Sequence, residues 1–286
     1  MSVNITTAFV EQYSANVQML SQQMGSLLRG AVDVETIKGK NSFFEQIGAT
    51  TAQLRTSRHG NTPQIDMPHS RRRLSTAAYE WADLIDDADK VRMLIDPTSS
   101  YAKAAAAAMG RAMDDVIIAA ALGTAKTGVS GGTDTALPSG QKVAHGSAGL
   151  TVAKLLSAKK ILDQNSVDPS IKRFCIVSPE QVEDLLNTTE VKSSDFNTVK
   201  ALAQGDINSF LGFEFITSNR LTQDATPNRQ VIAFASDGIK LGIGKDITAR
   251  ISERDDKSYS TQVYYCMDIG ATRMEEEKVV EIACQE

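Results

Sequence analysis

Between Gly48 and Arg73 the chain carries only three large apolar side chains, Leu54, Ile65 and Met67, while Gly60, Asn61, Pro63 and Pro68 supply turn signals. So few anchors cannot fill a core, and the stretch must project from whatever body the rest of the chain builds. It reads as an extended loop or two-stranded hairpin, with its turn near Arg58 to Asn61 and a short alternation at Ile65 and Met67 on the return limb. Five arginines (55, 58, 71, 72 and 73) against Asp66 leave this stretch at +4. The next segment, Ser75 to Asp96, has six acids (Glu80, Asp83, Asp86, Asp87, Asp89 and Asp96) against Lys90 and Arg92, which leaves it at −4. Adjoining blocks of opposite charge motivate the expectation that Arg71, Arg72 and Arg73 meet acidic groups of an adjacent subunit, with Asp86 and Asp87 on the acidic side. An exposed ion pair contributes under about 1 kcal/mol, so only a cluster would matter.

The remaining sequence is rich enough to form that body, with 286 residues of which 42% are hydrophobic, and usual domain sizes make two lobes the expectation. Residues 7 to 29 read as an amphipathic helix, because Val10, Tyr13, Val17, Leu20, Met24 and Leu27 recur at steps of three and four. Its single apolar stripe suits an arm packed on its own subunit or on a neighbour. The clearest helix starts at Asp96-Pro97, where Asp can cap N–H groups and Pro loses no hydrogen bond. It is expected to run through ten alanines to Leu122 and to stop at Gly123 in a left-handed cap, spanning roughly 40 Å.

Thr124 to Gly149 reads as a glycine-rich connecting loop. A helix over Val152 to Gln164 is expected to bury Leu155, Leu156, Ile161 and Leu162, followed by a buried strand at Phe174 to Val177. Ser178-Pro-Glu-Gln181 is a capping box, so a helix restarts there and buries Val182, Leu185 and Leu186. Further strands are expected at Gly212 to Thr217, with Phe213 and Phe215 on one face, and at Gln230 to Ala235. Asp246 to Ser252 alternates at Ile247, Ala249 and Ile251, and Ser260 to Gly270 alternates at Thr261, Val263, Tyr265, Met267 and Ile269; a last strand covers Lys278 to Ala283. No internal repeat is present, and the mixture implies an α+β chain.

Chemistry is hard to find. Cys175, Cys266 and Cys284 cannot all pair, and Cys175 inside Phe174-Cys-Ile-Val177 reads as a small buried thiol. His59, His69 and His145 sit in polar segments without a second ligand at helical or turn spacing. Gly242-Ile-Gly-Lys245 ends like a phosphate loop, but Ile239 stands where the first glycine is required and Asp246 follows the lysine. Asp86-Asp87, Asp114-Asp115 and Glu275 to Glu277 lack the spacing of a calcium loop and read as solvated or subunit-facing charge. Gly128-Val-Ser-Gly-Gly132 matches a hydrolase nucleophile pattern, yet it follows a helix and opens a loop, the reverse of the required context.

No catalytic residue, metal or cofactor is therefore expected. A net charge of −5 argues against sequence-specific DNA recognition. No stretch of about 18 apolar residues can cross a bilayer and the opening residues have no signal-peptide pattern, so the chain is expected to be made and kept in a cytoplasm.

Several segments resemble the major capsid proteins of tailed bacteriophages, of the Hong Kong 97 type of fold. They are Tyr79-Glu-Trp-Ala-Asp-Leu-Ile-Asp-Asp87, Arg92-Met-Leu-Ile-Asp-Pro-Thr98, Ala107-Ala-Met-Gly-Arg-Ala-Met-Asp-Asp115 and Asn197-Thr-Val-Lys-Ala-Leu202. The resemblance implies an N-terminal arm at 1–35, an extended loop at 36–78, a peripheral domain with the spine helix at 79–125, an axial domain at 126–245, and closing strands at 246–286 that return to the peripheral domain. It also implies pentamers and hexamers in an icosahedral head shell that encloses double-stranded DNA and touches it non-specifically. Expected partners are further copies of the chain, a separate scaffolding protein because the arm is short, a portal protein and, as an optional addition, a decoration protein. Such a chain would be synthesised and assembled in the bacterial host cytoplasm and end in the virion. Members that crosslink use a lysine on the extended loop, and Gly48 to Arg73 has none, so no autocatalytic crosslink is expected. The alternative within the same fold is an encapsulin-like nanocompartment shell.

Overall fold

The computed structural model describes residues 21–58, 60–62, 64–85, 98–187, 209–224 and 228–286, and among these strands alternate with three α-helices. In chain order the elements are β1 (Asp33–Thr36), β2 (Asn41–Ile47), β3 (His69–Ser75), β4 (Ala77–Ile85), α1 (Thr98–Leu122), β5 (Ala125–Thr127), β6 (Thr133–Thr135), β7 (Lys142–Val143), α2 (Val152–Gln164), β8 (Arg173–Val177), α3 (Pro179–Asn187), β9 (Ser209–Phe210), β10 (Phe213–Thr217), β11 (Asn228–Ala235), β12 (Ile239–Arg254), β13 (Ser260–Arg273) and β14 (Val279–Gln285). The chain divides into two units: Met1–Ser26 with Ala78–Arg111 and Asp246–Met267, and Leu27–Ala77 with Ala112–Lys245 and Asp268–Glu286.

The larger unit is organised by a six-stranded sheet in the order β7-β14-β11-β8-β10-β9. Its central strand β8 is buried at all five residues, as expected of the apolar run Phe174 to Val177. Strand β10 lies parallel to β8, with Phe213 opposite Arg173 and Thr217 opposite Val177, whereas β11 is antiparallel to both β8 and β14. A parallel neighbour requires a crossover, and α3 starts it directly after β8. The capping box forms in half: Gln181 Oε1 accepts the Ser178 N–H at 2.7 Å, while the Ser178 hydroxyl donates to Glu286. Helix α3 buries Leu185, with Val182 and Leu186 only partly covered.

Helix α2 occupies the expected residues and is capped by Thr151, whose side chain accepts the Lys154 N–H. It buries Leu155, Ala158 and Leu162, but Ile161 is only half-buried and Leu156 is exposed, because only part of the apolar stripe faces the sheet.

The expected loose loop after α1 is in fact structured. Strands β5 and β6 pair antiparallel and extend the β2–β3 hairpin into a second sheet, of order β2-β3-β5-β6. The glycines of Gly128 to Gly132 make the β5–β6 turn, with left-handed φ of 89° at Gly128 and 65° at Gly131. Leu137 and Gln141 are buried beyond it.

Helix α1 ends at the expected place by a different device. Gly123 is not left-handed; its N–H simply donates to Ala119 O at 2.8 Å. The last carbonyls are taken up instead by Arg273, whose Nη1 donates to Ala121 O and Gly123 O, both at 2.8 Å.

In the smaller unit β12, β13 and β4 lie side by side in that order. On β13 the expected alternation holds at Thr261, Val263 and Met267, all buried. On the distal part of β12 it does not: Ala249 is exposed and Ile251 is 55% exposed, so this stretch is open to solvent on both faces. Residues 21–29 form turns rather than the end of a helix, while residues 7–20 of that expected helix lie outside the described residues, as does the Asp96-Pro97 cap. Gly110 on α1 lets the chain at Gly25 cross in contact, since a Cβ there would sit 2.3 Å from the Gly25 carbonyl carbon. Arg111 Nη1 fixes the crossing through Gln22 Oε1 at 2.9 Å and Gln23 O at 3.2 Å.

Candidate assembly surface

A hairpin is present, but its first strand precedes the stretch expected to form it: antiparallel pairing runs from Asn41↔Ser75 to Ile47↔His69. Gly48 N–H donates to Pro68 O at 2.8 Å and closes its neck. Beyond the neck the described residues carry no strand, so Ile65 and Met67 are not a strand limb; they are 42% and 53% exposed, and Leu54 is 89% exposed. The turn expected near Arg58 to Asn61 includes His59, which lies outside the described residues.

Strand alternation sorts the three arginines. Arg72 points inward with Leu74 and is buried; its Nε donates to Met274 O at 2.7 Å and its Nη2 pairs with Glu276. It is therefore held by its own chain. Arg71 and Arg73 face outward with Phe43, Glu45 and Ile47. Arg71 Nε donates to Glu45 Oε1 at 2.7 Å, its guanidinium lies 5.4 Å from the Phe43 ring centre, and its Nη1 donates to Val129 O at 3.3 Å. The aliphatic part of Arg73 packs over Gly131, where a Cβ would come within 2.6 Å of it. Asp86 and Asp87 lie outside the described residues.

Behind Arg72 lies a buried ionic group that charge counting had read as solvated. Arg273, fully buried, donates to Ala121, Gly123 and Thr135 carbonyls, and its Nε lies 3.6 Å from Glu276 Oε1. Burial lowers the readiness of Arg273 to hold its proton, Glu276 opposes that effect, and the neighbouring Arg72 charge adds to it. Asp114 is likewise fully buried, and its two oxygens accept the N–H groups of Leu27 and Leu28, both at 3.1 Å. Its neighbour Asp115 is the surface member of the pair, bound to Arg220.

Sequence periodicity held the signal for both buried charges. Arg273 continues the inward alternation of Val263, Met267 and Ile269 by steps of two, and Asp114 shares a helix face with Ile118 and Ala121.

Among the described residues no group of three or more His, Cys, Asp or Glu is placed to hold a metal. No helix among them is long and apolar enough to cross a membrane. His69 and His145 are exposed, Gly242 to Lys245 is plain strand within β12, and the three cysteines are buried and form no disulfide.

The whole fold can be placed among known ones. The sequence matches the family described as phage capsid protein over residues 5–286. The chain belongs to the phage capsid protein family. No curated protein matches it.

Its fold is similar to the capsid structure of the cyanophage P-SCSP1u, with a TM-score of 0.78 and 18% identity over 100% of this chain and 96% of that chain. It is similar to a structure from Mycobacterium phage Che8 at 0.73, with 19% identity over 96% and 97% of the two chains. The capsid of Ralstonia phage GP4 matches at 0.76, with 9% identity over 97% and 95%. This is the tailed-phage capsid fold, a mixed helix and strand architecture. The family assignment makes the chain a structural capsid protein, and the nanocompartment alternative is not favoured.

Proposed function

We propose that this chain is the major shell subunit of a tailed-phage head, assembling as pentamers and hexamers into an icosahedral container for double-stranded DNA. The observation that carries the reading is the whole-length family match. The β2–β3 hairpin supports it independently: its loop, residues 48–68, exposes Leu54, Ile65 and Met67 and has no core of its own to fold against. A closed symmetric shell is the setting in which such an extension is buried, repeated on every copy, and many modest contacts made together give avidity.

In this reading residues 1–35 are the arm, 36–78 the extended loop, 79–125 the peripheral domain, 126–245 the axial domain and 246–286 the closing strands. A separate scaffolding protein directs assembly in the host cytoplasm, a portal occupies one vertex, a decoration protein is an optional outer addition, and DNA is touched without sequence preference. The subunit itself performs no catalysis. Co-expression with the scaffolding protein followed by sedimentation and electron microscopy tests it: closed empty shells are expected. A protein that stays monomeric with its scaffold present overturns the proposal, and uniform small shells filled with protein cargo would favour the nanocompartment instead.

A further inference from the structure

Little apolar surface seats the inner face of the β2–β3 hairpin on its own body. Strand pairing places Ser42, Phe44, Gln46, Arg72 and Leu74 on that face, and Leu74 alone of them is aliphatic and fully buried. It sits where β3 crosses two glycines: a Cβ on Gly242 would lie 2.8 Å from Leu74 Cδ2, and one on Gly270 would lie 2.2 Å from Ser75 O. Backbone pairing of β3 to β5 involves only Arg72 and Arg73. Beyond Leu74 the side-chain holds are polar. Gln46 Nε2 and Arg72 Nε both donate to Met274 O at 2.7 Å, Arg72 Nη2 pairs with Glu276, and Lys240 Nζ lies 4.6 Å from the Phe44 ring centre.

All of these holds but the Lys240 contact end on the turn at residues 274–276, and that turn is anchored from behind. Met274 N–H donates to Gly238 O at 2.8 Å, and Lys278 pairs with Asp237 at 2.6 Å and with Glu275 at 3.2 Å. Glu276 stands between two buried guanidiniums, Arg72 of the hairpin and Arg273 of β13. Arg273 cannot give way, because it also holds the carbonyls of Ala121, Gly123 and Thr135. Arg72 is carried on a limb with one aliphatic anchor. Loss of the carboxylate would leave two buried cations together, and the cation on the limb is the one able to move.

We propose that Glu276 is a positioning residue: it latches Arg72 and so sets the direction in which the hairpin and its loop leave the body, with Leu74 between Gly242 and Gly270 as the pivot. The latch is a property of the single subunit; only its consequence for particle form rests on the shell reading above.

The test compares the full unassembled chain with Glu276→Gln, which removes the charge at nearly constant shape, and with Arg72→Met, which leaves Glu276 balanced by Arg273. In both variants amide hydrogen exchange over residues 41–47 and 69–73 is expected to accelerate by about tenfold or more, while β8, β11 and α1 stay within about twofold of the unsubstituted chain. Spin labels on Thr51→Cys and Ser170→Cys, both exposed positions, read direction: one dominant distance in the otherwise unsubstituted chain, broadened or displaced in either variant. Arg72→Met combined with Glu276→Leu replaces the buried pair by apolar side chains and is expected to restore much of the lost protection.

Unchanged exchange and distances in both variants overturn the proposal. Faster exchange spread evenly over the hairpin, β8 and β11 also overturns it, because Glu276 would then only stabilise the unit as a whole. If Glu276→Gln does not fold, Arg72→Met alone decides between these outcomes. Loosened hairpins in both variants, together with no particles from the unsubstituted chain and its scaffolding protein, would uphold the latch and count against the shell reading.

Discussion

Two residues show how polar groups secure the interior of this subunit. The Glu286 carboxylate accepts from Ser178, Gln181 and Arg229 at 2.7, 2.8 and 2.8 Å. Burial alone would raise its pKa, but Arg229, Ser178 and Gln223 together hold it below the ordinary glutamate value. A carboxyl lowered in the folded state stabilises fully above its unfolded pKa, and that contribution fades as pH falls through the folded value. Melting temperature is therefore expected to drop on acidification across that window, and Glu286→Gln should flatten this part of the profile. Arg273 is the second case: replacement by Met leaves three carbonyls short of a donor and removes the cation beside Glu276, with an expected loss of about 3–5 kcal/mol in urea unfolding. Both positions are written in the sequence only weakly. Arg273 could be found by counting twos along its strand, whereas nothing local to Glu286 announces that Arg229 and Ser178 converge on it, since those contacts span 57 and 108 residues.

Helix α1 illustrates what one element can and cannot reveal about itself. Its range was legible because alanine propensity and the glycine stop are local properties; its cap was not, because the capping guanidinium arrives from β13. The same holds for β5 and β6, which are too short and polar to announce themselves and exist because β3 offers an edge to pair with. The α2 stripe was overread for the converse reason, since an apolar residue such as Leu156 is free to stay outside.

At Gly110 the close crossing predicts a specific sensitivity. Gly110→Ala should cost about 1–3 kcal/mol through overpacking against Gly25, despite the better helix propensity of alanine. Gly140→Ala, where no atom lies within 4 Å of a built Cβ, serves as the control and should leave thermal unfolding nearly unchanged.

For the molecule as a whole, the shell reading separates folding from assembly. Replacing residues 50–66 by a short Gly-Ser turn removes no buried residue among those described and should preserve the melting temperature within a few degrees, while closed particles are lost. Thermal melts and sedimentation measured on the same preparation check this, and a variant that builds normal shells would show that the loop is dispensable. The exposure of the described loop residues was legible because an apolar-poor stretch has little to bury; which faces of the sheets remain open depends on strand register, and register is a property of pairs of segments. The Gly48–Pro68 hydrogen bond gives this loop one further property. Its two ends leave the sheet at a single point, so the body imposes no span on what lies between them, and closure entropy rises only slowly with length. The site is thus a natural cassette, able to carry a grafted peptide or a longer natural insert without disturbing the strands that hold it.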